Sequence, residues 1–241
     1  MDQETVVYSK QGPIAHVLLN RPQVVNAYDT RMRDELFQAL EAVRDDPDVL
    51  VAILSGAGDR GFCAGADLTE FGTAPSQVVA RLVRWERDIW GLFREIKKPL
   101  IAVLHGHVVG SGVEIACLCD IRIASEGAVF RMPEVALGMV PAAGGTQTLP
   151  RTIGVGPALD VLLTGRSVTA EEALALRLVH RVVPRAELLK AAEGIAQELA
   201  AHSPDAVAAA KSAVLAGTDM PLSVGLDLEQ RLAARLALNK G

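Results

Sequence analysis

Two hydrophobic periods alternate along the chain, and the places where one gives way to the other predict its elements. A period of two runs through Thr5-Val6-Val7-Tyr8 and again through Ile14-Ala15-His16-Val17-Leu18. With Lys10-Gln11-Gly12-Pro13 between them, the two runs predict a β-hairpin. From Thr30 to Arg44 the apolar residues Met32, Leu36, Leu40 and Val43 fall at steps of four, four and three, which is one face of a helix. Asp29 is its expected N-cap, and Asp45-Asp46-Pro47 stops it. Val49 to Leu54 is a continuous apolar run, the pattern of a strand covered on both faces, and it enters the glycine-rich stretch SGAGDRGFCAGADL.

The same order then recurs. Val78, Leu82, Trp85, Ile89, Phe93 and Ile96 keep the helical period and predict a long helix from about Ser76 to Ile96, ended by Lys97-Lys98-Pro99. Pro99 to Leu104 is a second buried strand, running into the glycine turn HGHVVGSG and a short helix around Val113 to Leu118. Short strands are expected at Ile121 to Ala124 and Ala128 to Phe130, followed by Met132-Pro133-Glu134, and Gly144-Gly145 precedes another helix. Past about residue 150 the pattern is almost wholly helical, without strands. Thr169 and Glu172 fit a capping box, Ser203-Pro204 opens a helix to about Leu215, and a last helix covers Leu222 to Leu238. The expected class is an α/β core with an α-helical appendage, with no linker between them.

Composition narrows the functions this chain can serve. Half of its 241 residues are hydrophobic and 22% are charged, which supplies a core and excludes wholesale disorder. Lys plus Arg against Asp plus Glu gives 24 − 29 = −5, and aromatics make up 4%. An acidic chain poor in stacking side chains is not expected to bind nucleic acid. No apolar run approaches the ~18 to 20 residues of a membrane span. The start MDQETVVYSKQG lacks a basic segment followed by an apolar one, so no secretory signal is expected. Cys63, Cys117 and Cys119 are odd in number without a C-x-x-C, which fits a reduced, cytoplasmic protein whose cysteines are small buried hydrophobes.

Candidate chemistry sits where strands meet helices. The glycine junctions at 61 to 67 and 110 to 114 expose backbone N–H groups at helix starts, a local geometry for holding negative charge. If the two converge, Ala66 N–H and Ser111 N–H form an oxyanion hole; glycine loops after strands are also ordinary turns. Gly110-Ser111-Gly112 does not open a dinucleotide fingerprint, because the third glycine position holds Ile115, and no P-loop or G-x-S-x-G occurs. Glu114 and Glu134 each enter an apolar segment. Each has a plainer reading, Glu114 as a dipole partner in a first helical turn and Glu134 as an outward loop residue. Buried together, they would have separated pKa values and act as acid and base, but a spacing of 134 − 114 = 20 does not show that they meet. His105 and His107 flank Gly106 and share a side if the segment is extended, yet no third ligand follows at a recognisable spacing, so no metal is expected.

Four ordered motifs together resemble the enoyl-CoA hydratase/isomerase (crotonase) family: LNRPQVVNAYDTRMRDEL, GFCAGADL, KKPLIAVLHGHVVGSGVEIACLCDIRIAS and FRMPEVALGMVPAAGGTQTLPRTIG. The resemblance implies a spiral of repeated ββα units over residues 1–180 and a helical region over 181–241 that drives assembly into trimers or dimers of trimers. It implies an acyl-CoA thioester substrate, with CoA part of that substrate and no separate cofactor. The thioester carbonyl would be held by the N–H groups of Ala66 and Ser111, with Glu114 and Glu134 as the two hydratase glutamates and Ala142 N–H orienting the water. Val24, Ala64, Gly65, Asp67 and Leu68 would line the substrate. The implied reaction is hydration of a trans-2-enoyl-CoA; alternatives are Δ3,Δ2-isomerisation or another crotonase chemistry, and a crotonase-fold RNA binder. The last wants a lysine-rich first helix, whereas Thr30 to Arg44 has three Arg, three acids and no Lys. The chain departs from the pattern at Gln23, where many members have Lys, and at Ser111, Ala142 and Arg177, where glycine is commoner.

Overall fold

The hairpin forms as the alternating segments predict. In the computed structural model, which describes residues 4–70, 76 and 86–238, β1 (Val6–Gln11) and β2 (Ile14–Leu19) pair antiparallel from Val6 opposite Leu19 to Gln11 opposite Ile14. β2 then pairs in parallel with β3 (Val51–Gly56), followed by β5 (Leu100–Leu104), β7 (Ile121–Ser125) and β10 (Arg181–Val183). The order in this six-stranded sheet is β1-β2-β3-β5-β7-β10. A second sheet of four short strands has the order β4-β6-β8-β9, from β4 (Gly61–Cys63), β6 (His107–Val109), β8 (Val129–Arg131) and β9 (Ser167–Thr169). The consecutive pairs β3–β4, β5–β6 and β7–β8 therefore each give one strand to the large sheet and the next to the small one. The chain climbs as a spiral.

The continuous apolar runs are explained by two cores. Ala52, Leu54, Leu100, Ala102 and Leu104 face the main core, while their neighbours Val51, Ile53, Ile101 and Val103 face a second one. Alternate residues of a strand point to opposite faces, so a strand with both faces buried needs an apolar residue at every step. The second face is covered by α7 (Leu188–Ala200), whose Leu188, Ala192, Ile195 and Ala196 pack against it. The main core receives α1 (Thr30–Asp45) through Met32, Leu36, Leu40 and Val43, with Asp29 Oδ1 accepting the Met32 N–H at 2.7 Å as the expected cap. Of the helix expected over 76–96, α2 (Ile89–Glu95) is described; 71–75 and 77–85 lie outside the described residues. α3 (Ser111–Leu118), α4 (Gly145–Ile153), α5 (Val155–Thr164) and α6 (Ala170–Ala175) follow as the chain continues.

The expectation of a strand-free stretch past residue 150 is corrected by β9 and β10. Each has only three residues, too few to show a period, and each exists by pairing onto an existing edge: Val168 opposite Phe130, and Val182 opposite Ala124. β10 and α7 lie past residue 180 yet belong to the packing of the large sheet. After α7, α8 (Pro204–Gly217) and α9 (Leu222–Leu238) carry no buried residue. Lys211 of α8 ties that pair back to the spiral, its Nζ donating to Asp120 Oδ2 at 2.7 Å and Lys98 O at 3.0 Å. Half of the expected capping box forms. Thr169 Oγ1 accepts the Glu172 N–H at 3.2 Å, but the Glu172 carboxylate is taken by Arg166 at 2.6 and 3.0 Å. Arg177, at the position where glycine is commoner, has φ +63, the left-handed conformation that glycine adopts without cost.

Candidate active site

The small sheet sets the level of the site. Its parallel strands β4, β6 and β8 hold Cys63 opposite Val108 and Val108 opposite Phe130. Ala66 and Ser111 each lie three residues beyond a member of the first pair (66 − 63 = 3 and 111 − 108 = 3), so both fall just past the carboxyl end of the sheet. Glu134 follows β8 on the same side. The carboxyl ends of parallel strands are where α/β sheets place their ligands.

Backbone hydrogen bonds fix the direction of both amides. Ala66 forms a parallel bridge with Tyr28, in which Tyr28 N–H donates to Gly65 O at 2.8 Å and Asp67 N–H donates to Tyr28 O at 2.9 Å. This pattern uses the groups on either side of Ala66 and leaves its own N–H pointing away from Tyr28. Ser111 opens α3 after Gly110, whose carbonyl accepts from Val113 and Glu114; an N–H in the first helical turn has no partner within the helix. The loops touch, because a methyl group placed on Gly110 would lie 3.6 Å from Gly65 Cα. Gly112 lets α3 sit close to β4, since a methyl group there would lie 2.7 Å from Cys63 O.

Glu114 stands in the first turn of α3 and Glu134 reaches Gly110 just before it, and the two meet opposite environments. Glu114 is buried, and its Oε1 accepts N–H bonds from Gly145 at 2.9 Å, the first residue of α4, and from Ala143 at 3.1 Å in the turn before it. Glu134 is half-buried in the short 3-10 turn Glu134–Leu137, and its Oε1 lies 2.8 Å from where a Gly110 methyl group would be. Its Oε2 is buried with no hydrogen-bond partner among the described residues. Burial pushes its pKa above the ordinary carboxylate range. The outward loop reading of Glu134 is therefore not what the structure has.

The remaining expected residues separate into two groups. Ala64 and Gly65 belong to the same loop: Ala64 N–H donates to Val25 O at 2.9 Å, and Gly65 has φ +95. Val24 and Leu68 are 40% and 56% exposed on the two short 3-10 turns flanking that loop, which leaves both side chains open to a ligand. The Asp67 carboxylate is engaged by Thr69 and Arg21, which hold its pKa below the ordinary range. Ala142 is exposed in the turn before α4, and the amides on Glu114 are those of Ala143 and Gly145. His105 and His107 do not share a side. Gly106 has φ +50, His105 is buried with Nε2 against Gly58 O at 2.8 Å, and His107 is exposed. Among the described residues no group of three His, Cys, Asp or Glu could hold a metal, and no helix is long and apolar enough to cross a membrane. Sequence reasoning missed Asn26, fully buried at φ +54. Its Nδ2 donates to the carbonyls of Ala57, Gly61 and Phe62 at 3.0 to 3.1 Å, pinning the 22–28 loop to β4. An asparagine between glycine-free residues in a loop is the signal available, since Asn tolerates the left-handed region.

This fold is that of the solved enoyl-CoA hydratases. One from Bacillus anthracis superposes with a TM-score of 0.90 at 35% identity, covering 95% of this chain and 90% of its own. The family model described as enoyl-CoA hydratase/isomerase matches residues 9–240, and the chain belongs to that family as an enoyl-CoA hydratase-like enzyme. Among its relatives are a short-chain-enoyl-CoA hydratase of Clostridium acetobutylicum, 36% identical over 95% of this chain and 88% of the relative. A 2,3-dehydroadipyl-CoA hydratase of Escherichia coli is 38% identical over 96% and 90%. An (E)-benzylidenesuccinyl-CoA hydratase of Thauera aromatica is 40% identical over 88% and 83%.

Proposed function

We propose that the enzyme adds water syn across the double bond of a trans-2-enoyl-CoA thioester to give a 3-hydroxyacyl-CoA. The observation that carries this reading is the contrast between the two carboxyl groups: Glu114 bonded by two amides at a helix start, Glu134 desolvated with one oxygen unpartnered. A carboxyl group whose pKa is raised by burial supplies an acid, and one oriented by two amides supplies a base. Glu114 takes a proton from water as the water oxygen bonds to C3. The C2=C3 pair moves to form the C1 enolate, whose oxygen lies between Ala66 N–H and Ser111 N–H. C2 then takes its proton from Glu134, and proton exchange with solvent resets both carboxyls. Ala142 N–H orients the water, while Ala143 and Gly145 orient Glu114. One such oxyanion donor contributes ~10² to 10³ in kcat.

Glu114→Gln and Glu134→Gln should each remove most turnover of crotonyl-CoA while CoA-ester binding stays nearly intact. Full activity in both variants refutes the assignment. Product analysis separates hydration from double-bond migration, for which one carboxylate suffices. The charge of α1 speaks against the RNA-binding alternative, because Arg31, Arg33 and Arg44 each pair with an acid on the same helix. The protein is proposed to assemble with copies of itself, as a trimer or dimer of trimers. In support, α5 exposes Val155, Leu159 and Leu163, and α9 exposes Leu222 and Leu226. Light scattering that gives the mass of a monomer overturns the assembly.

A further inference from the structure

One cation fastens the loop that carries the Ala66 amide. The Arg21 Nη1 donates to Ala27 O at 2.6 Å and Asp67 Oδ2 at 3.1 Å and lies 3.0 Å from Asp29 Oδ2. These three acceptors surround the Tyr28–Ala66 bridge: Ala27 and Asp29 flank Tyr28, and Asp67 follows Ala66. The other end of Arg21 is fixed too, its backbone N–H donating to Asn26 Oδ1 at 2.9 Å. The segment so held includes two consecutive left-handed residues, Val25 and Asn26, both at φ +54. A β-branched residue there is strained and persists only where its surroundings over-determine it. The guanidinium and its two carboxylates are only 14 to 17% exposed, so the cluster is poorly screened by solvent.

We infer that Arg21 is a positioning residue for the hydration, aiming the Ala66 N–H at the thioester oxygen through Asp67 and the backbone of residues 27–29. The inference rests on the proposed function and adds to it a role for a side chain that does not touch substrate. It also gives Asp67 a task other than lining the substrate. Without Arg21, Asp29 and Asp67 face each other as uncompensated carboxylates, and repulsion between them opens the bridge around Ala66. Displacing a reacting group by ~1 Å costs ~10²-fold in rate.

The test uses Arg21→Met, Arg21→Lys and Asp67→Asn in the full chain, with crotonyl-CoA kinetics and thermal melts. A second readout is the carbonyl stretch of a bound cinnamoyl-CoA ester, recorded by difference infrared spectroscopy with Glu134→Gln added to block turnover. The expected result is a folded Arg21→Met protein whose kcat falls ~10²-fold with KM little changed, and whose bound carbonyl loses most of its red shift. Arg21→Lys recovers part of both, because a single nitrogen makes all three contacts. Asp67→Asn keeps the shape of the turn and shows a smaller loss of both, which decides the matter if Arg21→Met does not fold. A carbonyl shift and kcat that survive in Arg21→Met, or in Asp67→Asn where only that variant folds, overturn the inference alone. An unaltered protein that leaves the bound carbonyl unshifted overturns the proposed function and the inference with it.

Discussion

Replacing Gly110 by alanine tests whether the two loops and Glu134 converge where the structure has them. Gly110 has φ +51 and ψ −116, a backbone conformation essentially confined to glycine, and holding an L-residue there costs about 1–3 kcal/mol. The added methyl group would lie 2.8 Å from Glu134 Oε1 but 3.6 Å from Gly65 Cα. The second distance is ordinary contact; the first is not. The overlap therefore falls on the end of the Glu134 side chain, which can swing aside without disturbing the core. Stability should drop by the backbone cost alone, about 2 kcal/mol in a urea titration. Turnover should drop further, because moving the acid by ~0.5 to 1 Å costs ~10 to 10²-fold in kcat. Hydration of crotonyl-CoA, followed by loss of the conjugated thioester absorbance, measures the second effect on protein that still melts cooperatively. A stability loss with unchanged kcat refutes the placement of Glu134 against Gly110, and no change in either refutes the turn geometry as well.

Glu134→Gln should alter the pH dependence of stability as well as turnover. Burial raises the folded pKa of Glu134 above its ordinary 4.5, so the stability it contributes is full below the unfolded pKa and is lost as pH rises through the folded one. The Gln variant is then the more stable protein at pH 8 and the equal of its parent near pH 4; urea midpoints in the opposite order contradict the buried position. Asn26→Ala leaves two buried carbonyls, a half-buried one and one N–H to find other partners, at about 1–3 kcal/mol for each buried group, so a loss of at least ~2 kcal/mol is expected in denaturant melts. Lys211→Met removes two hydrogen bonds from a mostly buried ammonium and should cost about 2 kcal/mol. Faster amide exchange should then concentrate in α8 and α9, and uniform exchange across the chain would show that Lys211 is not what ties them down.

Elements long enough to show a period were legible from sequence. The Met32-Leu36-Leu40-Val43 face is buried as expected, and the alternation of Val51, Ala52, Ile53 and Leu54 between two cores is what a continuous apolar run encodes. Elements made by pairing alone were not legible: β9 and β10 owe their existence to Phe130 and Ala124, residues far away in sequence. The candidate site divides the same way. That a carboxylate enters an apolar segment at Glu114 and Glu134 could be read, but which way Glu134 turns depends on Gly110, and no local pattern carries that. The amides that bond Glu114, those of Ala143 and Gly145, were not foreseen, since the Ala142 N–H was expected on the water and no donor was assigned to the carboxylate. The signal was present, since Gly144-Gly145 opens a helix whose first amides have no internal partner. The histidine pair failed on one dihedral, as Gly106 at φ +50 breaks the extended run that a shared side requires.

The spiral explains how backbone groups could serve as the proposed oxyanion donors. Each turn sends its second strand to the small sheet, so β4 and β6 become parallel neighbours although more than forty residues separate them. With Cys63 opposite Val108, equal steps of three carry the chain to Ala66 and Ser111. Inserting one residue between Cys63 and Ala66 would displace that donor by roughly 3.3 Å, the rise of a strand residue, while leaving every side chain of the site in the chain. Side-chain identity at the two donor positions is correspondingly free. Ser111 can stand where glycine is commoner, because what the position supplies is the first amide of α3, and its buried side chain adds bulk without changing the donor. The carboxyl groups have no such freedom. Each has its own surroundings, two amides for Glu114 and a desolvated turn for Glu134, so the spiral repeats the proposed donors from one turn to the next but not the proposed acid and base.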